Sequence, residues 1–184
     1  MFVAYRKDNG FIYAVSDNND IDLSKVAADP SVADIVEITD GPDYETVKQD
    51  IKYWEVNLTE DPPKLRFKLG AYRQAKMEWI KQKMYEVAHS GMMSQTLGVE
   101  VDCAREDLDN FRNLLQYMES NNIESTQIRT FTDDFVECTQ DQLRSLIDEI
   151  IQFGLQLYQI KWQLENQLEQ ARGKDEIDAI EWPS

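Results

Sequence analysis

Two patterns of apolar residues divide the chain. Up to about residue 63 they come in short runs rich in β-branched and aromatic residues, cut by Gly, Pro, Asn and Asp. Beyond it they recur every three or four positions. The first pattern predicts strands and the second helices. Phe2–Arg6 and Phe11–Val15 flank Asn9-Gly10, a pair that tolerates positive φ, so they predict a β-hairpin. Ser24–Ala28 predicts a helical turn that stops before Pro30. Ala33–Thr39 predicts a third strand, Asp43–Asp50 a short helix and Tyr53–Leu58 a further strand. Pro62-Pro63 closes this module.

From Lys64 to His89, Leu69, Tyr72, Ala75, Trp79, Ile80, Met84 and Val87 fall at helical spacing, with Gly91 beyond them. Leu97–Val101 predicts a short strand, and Asp102 an N-cap. Leu108, Phe111, Leu115 and Met118 share one face of a second helix, which Ser120-Asn-Asn122 stops. Ile128–Cys138 predicts a hairpin turning at Asp133-Asp134. Thr139 and Gln142 form the capping-box pattern that opens a third helix, and Gly173 closes it.

That third helix has no proline and one glycine across Thr139–Ala171. At ~1.5 Å per residue it extends roughly 50 Å, more than the ~30 Å of a small domain. Leu143, Ile150, Leu157, Leu164 and Ala171 recur every seven residues. Through about Trp162 its apolar face is broad, which predicts core. Its C-terminal third is expected to protrude or to pair with another chain. Leu157, Ile160, Leu164 and Leu168 are therefore candidate partner-binding residues. Ile177, Ile180 and Trp182, in the acidic tail, join them as a candidate docking peptide.

The expected fold class is α+β: a small antiparallel β-module at 1–63, then a mainly helical domain at 64–172. That domain holds three long helices, a short hairpin and a protruding C-terminal helix, and residues 173–184 form a tail peptide. The chain's 184 residues suffice to bury a core without metal or disulfide.

Charge sharpens this picture. There are 35 acidic and 19 basic side chains, a net charge of −16. Such a surface repels phosphates, which argues against binding nucleic acid. It leaves open a DNA mimic that inhibits a basic enzyme. No apolar run reaches the ~18 residues a membrane helix needs, and Met1–Asp8 lacks the pattern of a secretory signal. The expectation is no nucleic acid, no membrane and a site of synthesis in the cytoplasm.

No constellation for catalysis, cofactor or metal emerges. His89 stands alone at a predicted helix end, where a charge favourable to the helix dipole explains it. Cys103 and Cys138 have no CxxC or HxxxH spacing and read as buried thiols. Asp17–Asp22 fails the EF-hand pattern from either start, because glycine is missing from the sixth position. None of the seven glycines lies in a phosphate-loop motif. The expectation is a non-enzymatic protein with no cofactor.

The order of elements carries a resemblance. A Lys/Arg-rich helix leads to a strand and Val101-Asp-Cys-Ala-Arg-Glu106. A Leu108/Leu115 helix follows, then Ile128-Arg-Thr-Phe-Thr-Asp-Asp-Phe-Val-Glu-Cys138 and the capped helix. Over roughly Leu65–Ala171 this resembles the uncharacterised domain found in tail-fibre-region proteins of tailed bacteriophages and prophages. That domain shows a hairpin carrying an aromatic residue, an Asp-Gly pair and a Phe in that order. Phe131 stands in its aromatic slot, Asp133-Asp134 in its Asp-Gly slot and Phe135 in its Phe slot. Residues 1–63 resemble, more loosely, the β-rich front ends of phage tail-fibre-assembly proteins. The resemblance implies no catalytic residue. It implies a virion protein of the tail region, made in the host cytoplasm, or an assembly chaperone that is not retained in the virion. The implied partners are other tail or fibre proteins, and the long helix adds a small homo-oligomer.

Overall fold

A computed structural model describes residues 1–183. The fold is α+β, with small antiparallel sheets and a long helix near the C-terminus. It divides into two compact units, Met1–Gln74 and the residues from Ala75 onward.

In the first unit β1 (Phe2–Arg6) and β2 (Ile12–Ser16) pair antiparallel, and β3 (Ala33–Glu37) adds to the other edge of β1. The order β2-β1-β3 makes β1 central, and its Val3 and Ala4 are fully buried. The expected hairpin turns over Lys7–Gly10, with Gly10 N donating to the Arg6 carbonyl oxygen at 2.8 Å. Gly10 has φ +70° and accepts a backbone hydrogen bond from Val56, so a Cβ there would lie 2.0 Å from the Val56 carbonyl oxygen. Only glycine meets both demands. Aspartates open the short helices α1 (Leu23–Val26) and α2 (Tyr44–Gln49): Asp22 accepts from Ser24 N and Asp43 from Thr46 N.

The strand β4 (Trp54–Asn57) is followed by a strand that the helical pattern concealed. Lys64–Phe67 is not the start of a helix but β5, paired antiparallel with β4 from Trp54↔Phe67 to Asn57↔Lys64. Leu65 and Phe67 alternate with Lys64 and Arg66, which is also the period of a half-buried strand. Pro62-Pro63 therefore sits inside a hairpin and not at a domain boundary. Tyr53, Phe67 and Tyr72 stack edge to face, with ring centroids 4.7–6.3 Å apart. Val3, Tyr5, Ile12, Ile38 and Val56 make the core.

The helix α3 (Leu69–Ala88) runs on into the second unit, which continues with β6 (Met92–Met93), β7 (Glu100–Val101) and α4 (Arg105–Ser120). Strands β8 (Ser125–Arg129) and β9 (Phe135–Thr139) form the expected hairpin and lead into α5 (Gln140–Gln170) and α6 (Lys174–Asp178). Three local expectations change. Asp102 is not the N-cap of α4. Ala104 holds that position, and Asp107 reaches back to accept its N–H at 3.0 Å. The hairpin does not turn on Asp133-Asp134 but on Phe131-Thr132-Asp133, with Asp133 alone left-handed at φ +67°. Gly173 does not end α5, whose cap is Ala171; it precedes α6.

The core of this unit gathers Val101, Phe111, Met118, Ile128, Cys138, Leu143, Leu146, Ile147 and Ile150. It draws on α4, the hairpin and the first three turns of α5. Each fully buried aliphatic side chain contributes about 1.5–3 kcal/mol. No helix among the described residues is long and apolar enough to cross a membrane.

Candidate interaction surface

The hairpin and its capping box set where α5 begins. Thr139 Oγ1 accepts from Gln142 N, while the Gln142 side chain accepts from Thr139 N at 3.0 Å. Both ends of the box are satisfied, which fixes the rotation of the helix relative to the hairpin. From there α5 runs 31 residues, about 46 Å at ~1.5 Å per residue.

One side of α5 is covered throughout its length. Leu143, Ile150, Leu157, Leu164 and Ala171, the seven-residue series, are all buried, and Leu146 and Leu168 are fully so. Ile177 and Ile180 of the tail are buried as well. Ala171, Ala179 and Ile180 line one small groove with Gln167 and Gln170, so the tail folds back on the end of α5. Its short helix is tied by Arg172 N to Glu176 at 2.7 Å and by Lys174 to Asp178 at 2.7 Å. Of the seven residues expected to bind a partner, Leu157, Leu164, Leu168, Ile177 and Ile180 lie inside this chain's own fold. Ile160 and Trp182 are half-buried. Ile177 and Ile180 of the expected docking peptide are thus packed within this chain's own fold.

A second side behaves differently. Leu155, Tyr158 and Trp162 were expected in the core, yet they are 55%, 47% and 58% exposed. Successive positions differ by about 100° around a helix, so these three residues line up. They fall on one stripe with the half-buried Ile151, about 100–160° around the helix from the leucine series. The Tyr158 and Trp162 rings lie 5.8 Å apart, tilted at 41°. Around them stand Gln152, Gln156, Gln159 and Gln163, all exposed. From Ile150 to Ile160 no residue is charged.

A third contact fixes α5 on its own unit. Glu149 receives Ser94 Oγ at 2.7 Å, Thr96 Oγ1 at 2.6 Å, Thr96 N at 2.9 Å and Gln95 N at 3.1 Å. Burial pushes this carboxyl up, but the Thr96 and Ser94 hydrogen bonds outweigh it and hold it below its ordinary range. Ser94 itself is fully buried. The carboxylate thus serves as the cap for the turn between β6 and β7, and it is spent on structure. Nothing in the sequence marked it, because an i-to-distant-loop contact leaves no local spacing.

The side chains weighed for chemistry are likewise occupied. His89 stacks on Tyr85 with ring centroids 3.8 Å apart, and its Nδ1 lies 2.8 Å from the Tyr85 carbonyl oxygen. Cys103 donates to the Ala88 carbonyl oxygen, and burial next to Asp107 pushes its thiol up to about 11. Burial also raises the Cys138 thiol. Both are protonated near neutrality and poorly nucleophilic. Among the described residues no cluster of His, Cys, Asp and Glu has the geometry to hold a metal ion.

No curated protein and no solved structure matches the chain. Residues 71–181 match the family described as a domain of unknown function, DUF4376. That span takes in most of α3, the hairpin, α5 and the folded tail, which is more than half of the chain. The chain therefore belongs to the DUF4376 family.

Proposed function

We propose that this chain is a non-enzymatic structural protein of the tail or tail-fibre region of a tailed bacteriophage. In this reading it connects or attaches fibre components in the virion. The observation that carries the reading is the order strand, helix, hairpin and capped long helix over Leu65–Ala171. It resembles the domain of phage tail-fibre-region proteins in the Phe131, Asp133-Asp134 and Phe135 slots. The geometry supports a role in contact and not in chemistry: its thiols are raised, its histidine is stacked and the Glu149 carboxylate caps a turn. What α5 leaves open is an apolar, uncharged face of the kind that assembly uses.

Mass spectrometry of purified particles tests the reading. Stoichiometric presence in the particle is expected. Absence from particles, combined with misfolded fibre when the gene is deleted, would overturn it in favour of an assembly chaperone.

A further inference from the structure

We propose that the open edge of β8, beside α4, takes an extended segment of another protein by strand addition. The segment sets an apolar side chain against Phe111 and Leu114. Two residues away, its lysine or arginine meets Asp102 and Asp107. This deepens the contact role proposed above by naming what one surface of the chain receives.

The open edge follows from the register of the hairpin. Thr130 N donates to the Asp134 carbonyl oxygen at 2.8 Å, and Gln140 N to the Glu124 carbonyl oxygen at 3.2 Å. Bonded pairs alternate along an antiparallel ladder, so Thr126 and Ile128 bond inward to β9. Ser125, Gln127 and Arg129 then turn their N–H and C=O groups outward. The next outward N–H, that of Phe131, is taken by the Glu100 carbonyl oxygen at 3.0 Å. There β7 stops at Val101, and the chain leaves through Asp102 for α4. Among the described residues no backbone group reaches Gln127 or Arg129 from that side.

Other edges are closed. In β3 the Met1–Ile38 pair turns the Ile35 N–H outward, and Asp34 Oδ1 accepts it at 2.9 Å. On β9 the outward Thr139 N–H goes to the Gln142 side chain. The β8 edge carries neither proline nor bulge.

The groove alongside selects the occupant. It holds about 340 Å³ between β8 and α4. Phe111, Leu114 and Ile128 give it an apolar floor, and Asp102 and Asp107 stand at its other end. Asp107 and Leu114 lie about 10 Å apart along α4 at ~1.5 Å per residue. Side chains two apart on a strand face the same way, about 7 Å apart, and the length of a lysine or arginine covers the rest. Burial, and then the Asp102 and Glu106 charges, push the Asp107 carboxyl up against the pull of its bond from Ala104 N. What that end lacks is a cation. Arg129, which also lines the groove, is turned to Asp133. A second copy would bring the same excess of carboxylates, in a chain of net charge −16, and be repelled. A basic and apolar strand suits both the edge and the groove.

Two capped peptides test this, Thr-Lys-Thr-Leu-Thr-Val-Thr for antiparallel addition and its reverse for parallel. Each is titrated to about 1 mM against the full chain, with amide exchange read by NMR. With one of them the Gln127 and Arg129 amides are expected to slow at least about tenfold, while Thr126 and Ile128, already bonded to β9, change little. Norleucine in place of the peptide's lysine, and Asp102→Asn in the chain, are each expected to weaken binding about fivefold or more. If neither peptide protects the two amides, the proposal is overturned. Binding indifferent to both the norleucine and the Asp102→Asn change overturns it as well. Amides at Gln127 and Arg129 that are slow without peptide, and quicken on dilution, put a second copy on the edge and overturn the stated occupant. Particle content is read separately. A chain found in particles that binds neither peptide sinks strand addition alone, and a peptide-binding chain absent from particles sinks the virion role alone.

Discussion

The two sides of α5 carry nearly the same chemistry and have opposite fates. Leu157 and Leu164 are 6% exposed, while Leu155, two residues from Leu157, is 55% exposed. Both sides read as apolar at helical spacing. The difference lies in what the rest of the chain brings against them: α4 and the hairpin toward the start of α5, and the returning tail at its end. Apolar period therefore identifies a stripe that will be covered, but not what will cover it. The regular heptad is the seam of this fold, and the shorter aromatic stripe is the side left over.

The sharpest way to break this contrast is to truncate the covered side. Leu146→Ala and Leu164→Ala are each expected to cost about 2–5 kcal/mol, the range for a buried leucine that leaves a cavity. Urea denaturation measures it. A cost below about 1 kcal/mol at Leu164 would mean the second half of α5 is not covered in solution and stands free as a handle.

Glu149 comes next, since it ties α5 to the Ser94–Thr96 turn. Glu149→Gln replaces two acceptor oxygens with one and sets an amide N–H against donors. The expected loss is about 1–3 kcal/mol at neutral pH. Because this carboxyl titrates below its unfolded range, its contribution is fully present above that range and is lost as pH falls through the folded value. Wild type and variant should therefore converge in stability below about pH 4. A stability difference that stays constant down to acid pH would show that the carboxylate's charge is not what the turn uses.

Much of the fold was legible because it rests on local signals. Asn9-Gly10, the Thr139–Gln142 box and the Leu108–Met118 face each occupy a few adjacent residues and fold as read. The errors arose where a partner decides. Leu65–Phe67 satisfied both periods, and only pairing with Trp54–Val56 chose the strand. Leu155, Tyr158 and Trp162 looked like core because nothing local says that this unit has no further layer to lay on them. The tail looked free because its docking depends on Ala171 and Ile180 meeting after a reversal at residues 171–173.

A smaller test bears on how the two sides are assigned. Thr139 fixes the first turn and hence which residues face the hairpin. Thr139→Ala removes one cap acceptor and should cost about 1 kcal/mol. The helix should keep its rotation, because Gln140 Nε2 still donates to the Ile123 carbonyl oxygen at 2.9 Å. In a background where Trp54, Trp79 and Trp182 are replaced by Phe, fluorescence should then stay at the wavelength of an exposed indole for Trp162. A blue shift at that residue would mean that losing the cap turns the aromatic stripe inward.

The least expected effect is the most telling for the contrast. Trp162→Ala removes the largest side chain of α5, and in a core it would cost about 3–5 kcal/mol. On the exposed side it touches mainly Tyr158, at 5.8 Å between rings, and solvent. Alanine is also the better helix former, by a few tenths of a kcal/mol. The two small terms oppose each other, so stability measured at a protein concentration too low for dimers should change by less than about 0.5 kcal/mol. Repeating the measurement at high concentration separates the remaining possibilities. If the wild type gains stability with concentration and the alanine variant does not, the residue acts between chains and not within one.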